Sequence, residues 1–97
     1  MRKLVIRLQA QLDVEDAAIW YENRRAGLGL RFLEDLDYVV RRVAASPLQF
    51  PEIQPGARRG LLKRFPYSVY FSVSSEQVEI IGVLHQHRHP DTWRNRL

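Results

Sequence analysis

Residues 13 to 45, DVEDAAIWYENRRAGLGLRFLEDLDYVVRRVAA, carry two apolar stripes of helical period on either side of a glycine break. In the first half Val14, Ala17, Ala18 and Tyr21 recur at spacings of three and four, which places them on one face of a helix. Asp13 reads as the residue that starts it, its carboxylate accepting from free backbone N–H groups, with Glu15 and Asp16 in the first turn. Gly27-Leu28-Gly29 then ends the helix and permits a tight turn. A second helix is expected from Leu30 to Ala45, with Phe32, Leu36, Val39, Val40 and Val43 as its apolar stripe. Ser46-Pro47 stops it, because a residue before proline is biased away from helical geometry.

On the N-terminal side, KLVIRL (residues 3–8) alternates as a strand with Leu4, Ile6 and Leu8 on one face. On the C-terminal side, PLQFPEIQPG reads as a loop, and three strands follow. ARRGLLKRF is the first of these, and Gly60 within it suits a bulge or a close backbone approach. YSVYFSV alternates Tyr67, Val69, Phe71 and Val73 against Ser68, Tyr70 and Ser72. VEIIGVLHQ is almost continuously apolar, as a strand covered on both faces would be. The expected order is β-α-α-β-β-β, an α+β fold with a helical hairpin on one face of a small antiparallel sheet.

The 97 residues make a single domain, 1–97, with no second core, repeat or linker. A hydrophobic fraction of 45% argues for a globular chain. No stretch reaches the roughly 18 uninterrupted apolar residues of a membrane span. The basic, apolar N-terminus is interrupted by Arg7 and Gln9 and lacks a signal-like cleavage site. The absence of cysteine suits a reducing cytoplasm. Thirteen of the 15 basic residues are arginine and the net charge is +4, so a nucleic acid or an acidic protein is the expected partner.

All three histidines fall in LHQHRHPDTWRNRL, residues 84–97. On a strand His85 and His87 share a face about 6.5–7 Å apart, within reach of one metal ion or of divided acid–base work. A metal is the weakest reading, because Asp91 is the only nearby carboxylate, Pro90 bends the chain, and the tail is positive. Neither metal nor cofactor is expected. For RNA cleavage, a proton acceptor, a proton donor and cations on the phosphorane are required. His85, Arg88, Arg59, Arg64 and Tyr67 form one candidate set, with Tyr70 or His87 as substitutes. A strand-end histidine with solvated arginines explains the same residues without catalysis.

RRGLLKRFPY places Arg58, Arg59, Lys63 and Arg64 within seven residues, next to Phe65 and Tyr67, which can stack on bases or simply pack. With Arg88, Arg94 and Arg96 they form the candidate surface for a partner or nucleic acid. Trp20 and Tyr21 on the first helix and Trp93 in the tail are expected to bury area, Trp93 pinning the C-terminus.

Taken in order, WYE…GLG…RF, SPLQFP, RRGLLKRFPYSVYFSV and VEIIGVLHQHRHPDTWRNR resemble the ParE/RelE toxin superfamily, known as plasmid stabilisation system proteins, over almost the whole chain. The resemblance implies a helical hairpin on a small sheet. It implies a cytoplasmic type II toxin, neutralised in a hetero-oligomer by a cognate antitoxin that is acidic where it wraps the toxin and that binds DNA. ParE-like members poison DNA gyrase without catalysis, and RelE-like members cleave mRNA on the ribosome. The first helix and glycine turn look ParE-like, and no tyrosine follows Tyr70 to serve as the C-terminal catalytic tyrosine of the RelE-like enzymes. Gyrase is therefore the expected target. An mRNA endoribonuclease and a non-toxic binding module are the alternatives.

Overall fold

A computed structural model describes residues 2–97. The elements are β1 (Lys3–Ile6), α1 (Leu8–Arg24), α2 (Leu28–Ala45), a 3-10 turn (Pro47–Gln49), β2 (Glu52–Gln54), β3 (Ala57–Leu61), β4 (Tyr67–Val73), β5 (Gln77–His85) and α3 (Asp91–Arg94). Five strands form one sheet in the order β1-β5-β4-β3-β2. The fold is α+β, with the helical hairpin on one face of the sheet, as the stripes require.

The sheet is mixed, where an all-antiparallel sheet was expected. The chain from β2 to β5 is an antiparallel meander, but β1 pairs with β5 in parallel, Lys3 to Gln77 through Ile6 to Ile80. The long crossover through both helices makes this parallel return feasible, whereas a tight turn would have forced an antiparallel one. β2 lies inside the segment read as a loop. It is only three residues long, sits at the sheet edge and pairs irregularly with β3, consistent with its flanking prolines.

β1 ends at Ile6, and the helix begins at Leu8 rather than at Asp13. Arg7 is extended, and the N–H of Gln11 donates to its carbonyl at 3.0 Å. Leu-Gln-Ala-Gln-Leu is a run of good helix formers. Asp13 thus lies inside α1, and Leu8 leaves the row of Leu4 and Ile6 to stand exposed on the helix. α2 starts at Leu28, two residues before the expected position.

The glycine turn has a specific partner. Gly27 adopts φ 88°, which a β-carbon would strain. A β-carbon on Gly29 would lie 2.7 Å from the Ala18 carbonyl oxygen, so the hairpin closes only over glycine there. The Glu22 carboxylate accepts from the N–H groups of Gly27 and Gly29 at 3.0–3.1 Å, capping the start of α2 with negative charge.

The main core lies between hairpin and sheet, where Phe32, Val39, Val43, Val69, Phe71 and Ile80 are essentially inaccessible. The opposite sheet face carries a smaller cluster, Ala57, Tyr70, Ile81, Leu84 and Trp93, with Ile53 against it. β5 serves both clusters by alternation, and its register with β4 shifts between Tyr70 and Phe71, so that beyond Ile81 it is Val83 that faces the main core and Leu84 the second. Phe71 faces Ile80 and Tyr70 faces Gly82, so Ile81 is the extra, unpaired residue of a bulge. This accounts for the continuous apolar run in VEIIGVLHQ.

Candidate functional site

The C-terminal tail crosses the second sheet face and is fastened at two points. The Trp93 indole stacks on Tyr70, with ring centroids 5.2 Å apart and planes 12° from parallel. Beyond it, the Arg96 guanidinium donates to the Asp13 carboxylate at 2.6 and 3.2 Å and to the Ile81 carbonyl at 3.1 Å. Asp13 also accepts from the Val83 N–H at 3.0 Å. β1 stops opposite Ile80, so residues 81–83 of β5 would otherwise have an unpaired edge. The Asp13–Arg96 pair supplies the acceptor and donor that a neighbouring strand would supply there. Both side chains are nearly buried, at 14% and 16% exposure. Arg7 donates to the Arg96 carbonyl and pairs with Glu79 at 2.9 Å, adding a second tie.

The histidines are occupied locally. His85 Nδ1 accepts from the His87 N–H, and His89 Nδ1 accepts from the Asp91 N–H, each at 3.1 Å. Among the described residues no three of His, Asp and Glu gather as a metal-holding group.

Between α1 and the end of β5 lies a cleft of about 370 Å³. One wall is the α1 face that carries Asp13, Asp16, Ala17, Trp20 and Tyr21, and the other is Tyr67, Val83, Leu84, His85 and Arg88. The rings follow one another: Trp20 to Tyr21 at 5.0 Å, Tyr21 to Tyr67 at 6.0 Å, Tyr67 to His85 at 5.4 Å. Burial pushes the Tyr67 phenol above its ordinary pKa; the Arg88 charge works against this and Asp13 reinforces it. Burial, and then Tyr67, raises Tyr21 as well. Both shifts favour the protonated phenol.

Three of the five residues in the RNA-cleavage set, His85, Arg88 and Tyr67, meet at this cleft. Arg59 does not, because its strand partner is Tyr70, which places it on the second sheet face. Arg64 does not either, because it lies in the β3–β4 loop beside α2, where the N–H groups of Lys63 and Arg64 donate to Asp35 at 3.2 and 2.8 Å. The Lys63 ammonium sits 4.3 Å from the Tyr38 ring centre, in a second cavity of about 480 Å³ that includes Arg31 and Phe65.

The candidate partner surface is likewise dispersed. Arg58 donates to the Phe50 carbonyl at 2.7 Å, and Arg94 donates to Gln54 at 3.1 Å. Arg96, expected on the exposed basic surface, is instead the inner half of the ion pair with Asp13. Sequence reasoning assigned no part of the site to Asp13, Asp16, Glu22 or Asp35. Spacing could have found the first two: in a helix that starts at Leu8, Asp13, Asp16, Ala17 and Trp20 share one face.

No family model matches the chain, and no curated protein matches it in sequence. Among solved structures, it superposes on a chain of "Chromosomal ParDE TA system from P. aeruginosa" with a TM-score of 0.78, over 88% of this chain and 96% of that one, at 22% identity. The two chains share a fold. The two-helix hairpin on a five-stranded sheet agrees with the architecture implied by the resemblance.

Proposed function

We propose that the chain is the toxin of a type II toxin–antitoxin module, acting in the cytoplasm as a ParE-like, non-catalytic poison of DNA gyrase. The fold shared with a chain of the ParDE system supports the toxin reading. The observation that carries the non-catalytic reading is the separation of Arg59 and Arg64 from His85, Arg88 and Tyr67. Phosphorane stabilisation needs cations at the reacting phosphate, and two of the candidate cations lie on other surfaces. Among the described residues no helix is long and apolar enough to cross a membrane.

A cognate antitoxin is the proposed partner. Leu8, Leu12, Ile19, Leu30 and Leu33 stand exposed on the helical hairpin, an apolar surface that a partner would cover. The excess of arginine favours an acidic partner segment.

The experiment is a supercoiling assay with purified gyrase and chain, run with and without antitoxin. Gyrase inhibition that the antitoxin reverses is expected, and ordinary supercoiling at large toxin excess would sink the reading. The convergence of His85, Tyr67 and Arg88 favours one alternative, a ribosome-dependent endoribonuclease. That reading predicts cuts in translated mRNA that vanish in His85→Ala. Unchanged growth on expression without antitoxin would leave only a binding module.

A further inference from the structure

The cleft between α1 and β5 is lined by aromatic rings and by charged groups of both signs. Its rings run without a break from Trp20 through Tyr21 and Tyr67 to His85, and half of Trp20 is exposed. These contacts are edge to face, Tyr21 is stacked on Phe32, and the Arg24 guanidinium lies 4.3 Å over the Trp20 ring, so the remaining open face of Trp20 is where a flat base can stack. The volume, about 370 Å³, lies within the range of small-ligand sites.

The polar groups at its rim are of opposite kinds. Asp13 is spent on Arg96, but Asp16, one turn before Trp20 on the same helix face, forms no ion pair among the described residues. It is an exposed carboxylate with only acceptors to offer. At the other wall, His85 Nδ1 accepts from the His87 N–H, so the neutral ring carries its proton on Nε2 and is a donor. Arg88 stands exposed beside it, its guanidinium in no ion pair among the described residues.

A ligand matching this arrangement is planar, donates from one edge and ends in an anion. Guanine has both N1–H and an exocyclic amine on its Watson–Crick edge, so a single carboxylate accepts from both. Adenine presents a bare N1 there, which repels a carboxylate, and cytosine offers one donor. We propose that this cleft binds a guanine nucleotide, with the base stacked on the open face of Trp20, its N1–H and amine on Asp16, and its phosphate on Arg88. The proposal stands independently of the gyrase reading.

The test is a titration of the full chain with GMP, AMP and guanosine, followed by tryptophan fluorescence. Trp93, buried on the other sheet face, is the silent tryptophan. GMP should quench Trp20 saturably, and AMP should bind about tenfold or more weakly, the discrimination a bidentate base contact gives. Asp16→Asn should erase the preference for GMP over AMP. Arg88→Gln should weaken GMP but leave guanosine unchanged. Both positions are exposed, and circular dichroism checks that each variant folds. Three results would overturn the site: no saturable change with millimolar GMP, equal GMP and AMP binding that Asp16→Asn does not alter, or binding of a guanine-containing RNA oligonucleotide with none of GMP.

Discussion

The two faces of the sheet are held down by different forces. On the hairpin face, Phe32, Val39, Val43, Val69 and Phe71 interlock over apolar surface alone. On the other face a short tail adds one stacked indole and a nearly buried ion pair. The hairpin brings long amphipathic helices to the sheet, whereas α3 has only four residues and cannot bury a comparable area. A tail that short needs a directional anchor, and Arg96 finds one in a carboxylate on α1. The first face should therefore govern global stability and the second should govern local order.

Substitutions can separate the two. Phe32→Ala, in the main core, should cost about 3–5 kcal/mol in urea unfolding and lower protection across the whole sheet. Arg96→Ala should cost somewhat less, roughly 3 kcal/mol, because Asp13 is left buried without its cation. Hydrogen exchange in that variant should rise at residues 81–83 and in the tail while α2 keeps its protection. Equal loss of protection in α2 would dissolve the distinction between the faces.

A double-mutant cycle sharpens the point. Asp13→Leu combined with Arg96→Met should cost less than the sum of the two single changes, because no lone charge remains, although the Val83 N–H and the Ile81 carbonyl then lose their partners. Smaller effects belong to the hairpin turn. Glu22→Gln removes the charge at the start of α2 and should cost about 1 kcal/mol by thermal unfolding. The exposed Asp37–Arg41 pair, 2.8 Å apart, contributes least, so Asp37→Asn should change stability by less than about 0.5 kcal/mol.

The same contrast explains what the sequence discloses. The stripe of Phe32, Leu36, Val39 and Val43 and the alternation of Tyr67, Val69 and Phe71 are local periodicities, visible without partners. Trp93 as the tail's pin was equally readable, because a large aromatic in a short basic end has little else to do. Asp13 was misread because its partner lies 83 residues away, and an acidic residue before an apolar stripe resembles a cap. The parallel pairing of β1 escaped notice because a four-residue strand carries no mark of its neighbour's direction. β2 was hidden by its prolines. Of the candidate site, His85, Arg88 and Tyr67 could be brought together by reading strand ends, but Arg59 and Arg64 could be separated only once register and loop geometry were known.

The central claim is that the chain acts by binding rather than by cutting RNA. Its most direct test is incubation of purified gyrase and circular DNA with the chain, scoring DNA breaks trapped on the enzyme. The account predicts gyrase–DNA cleavage complexes that depend on the chain, with His85→Ala as active as the wild type. Gyrase that supercoils normally at an excess of the chain, together with mRNA cuts abolished by His85→Ala, would contradict it.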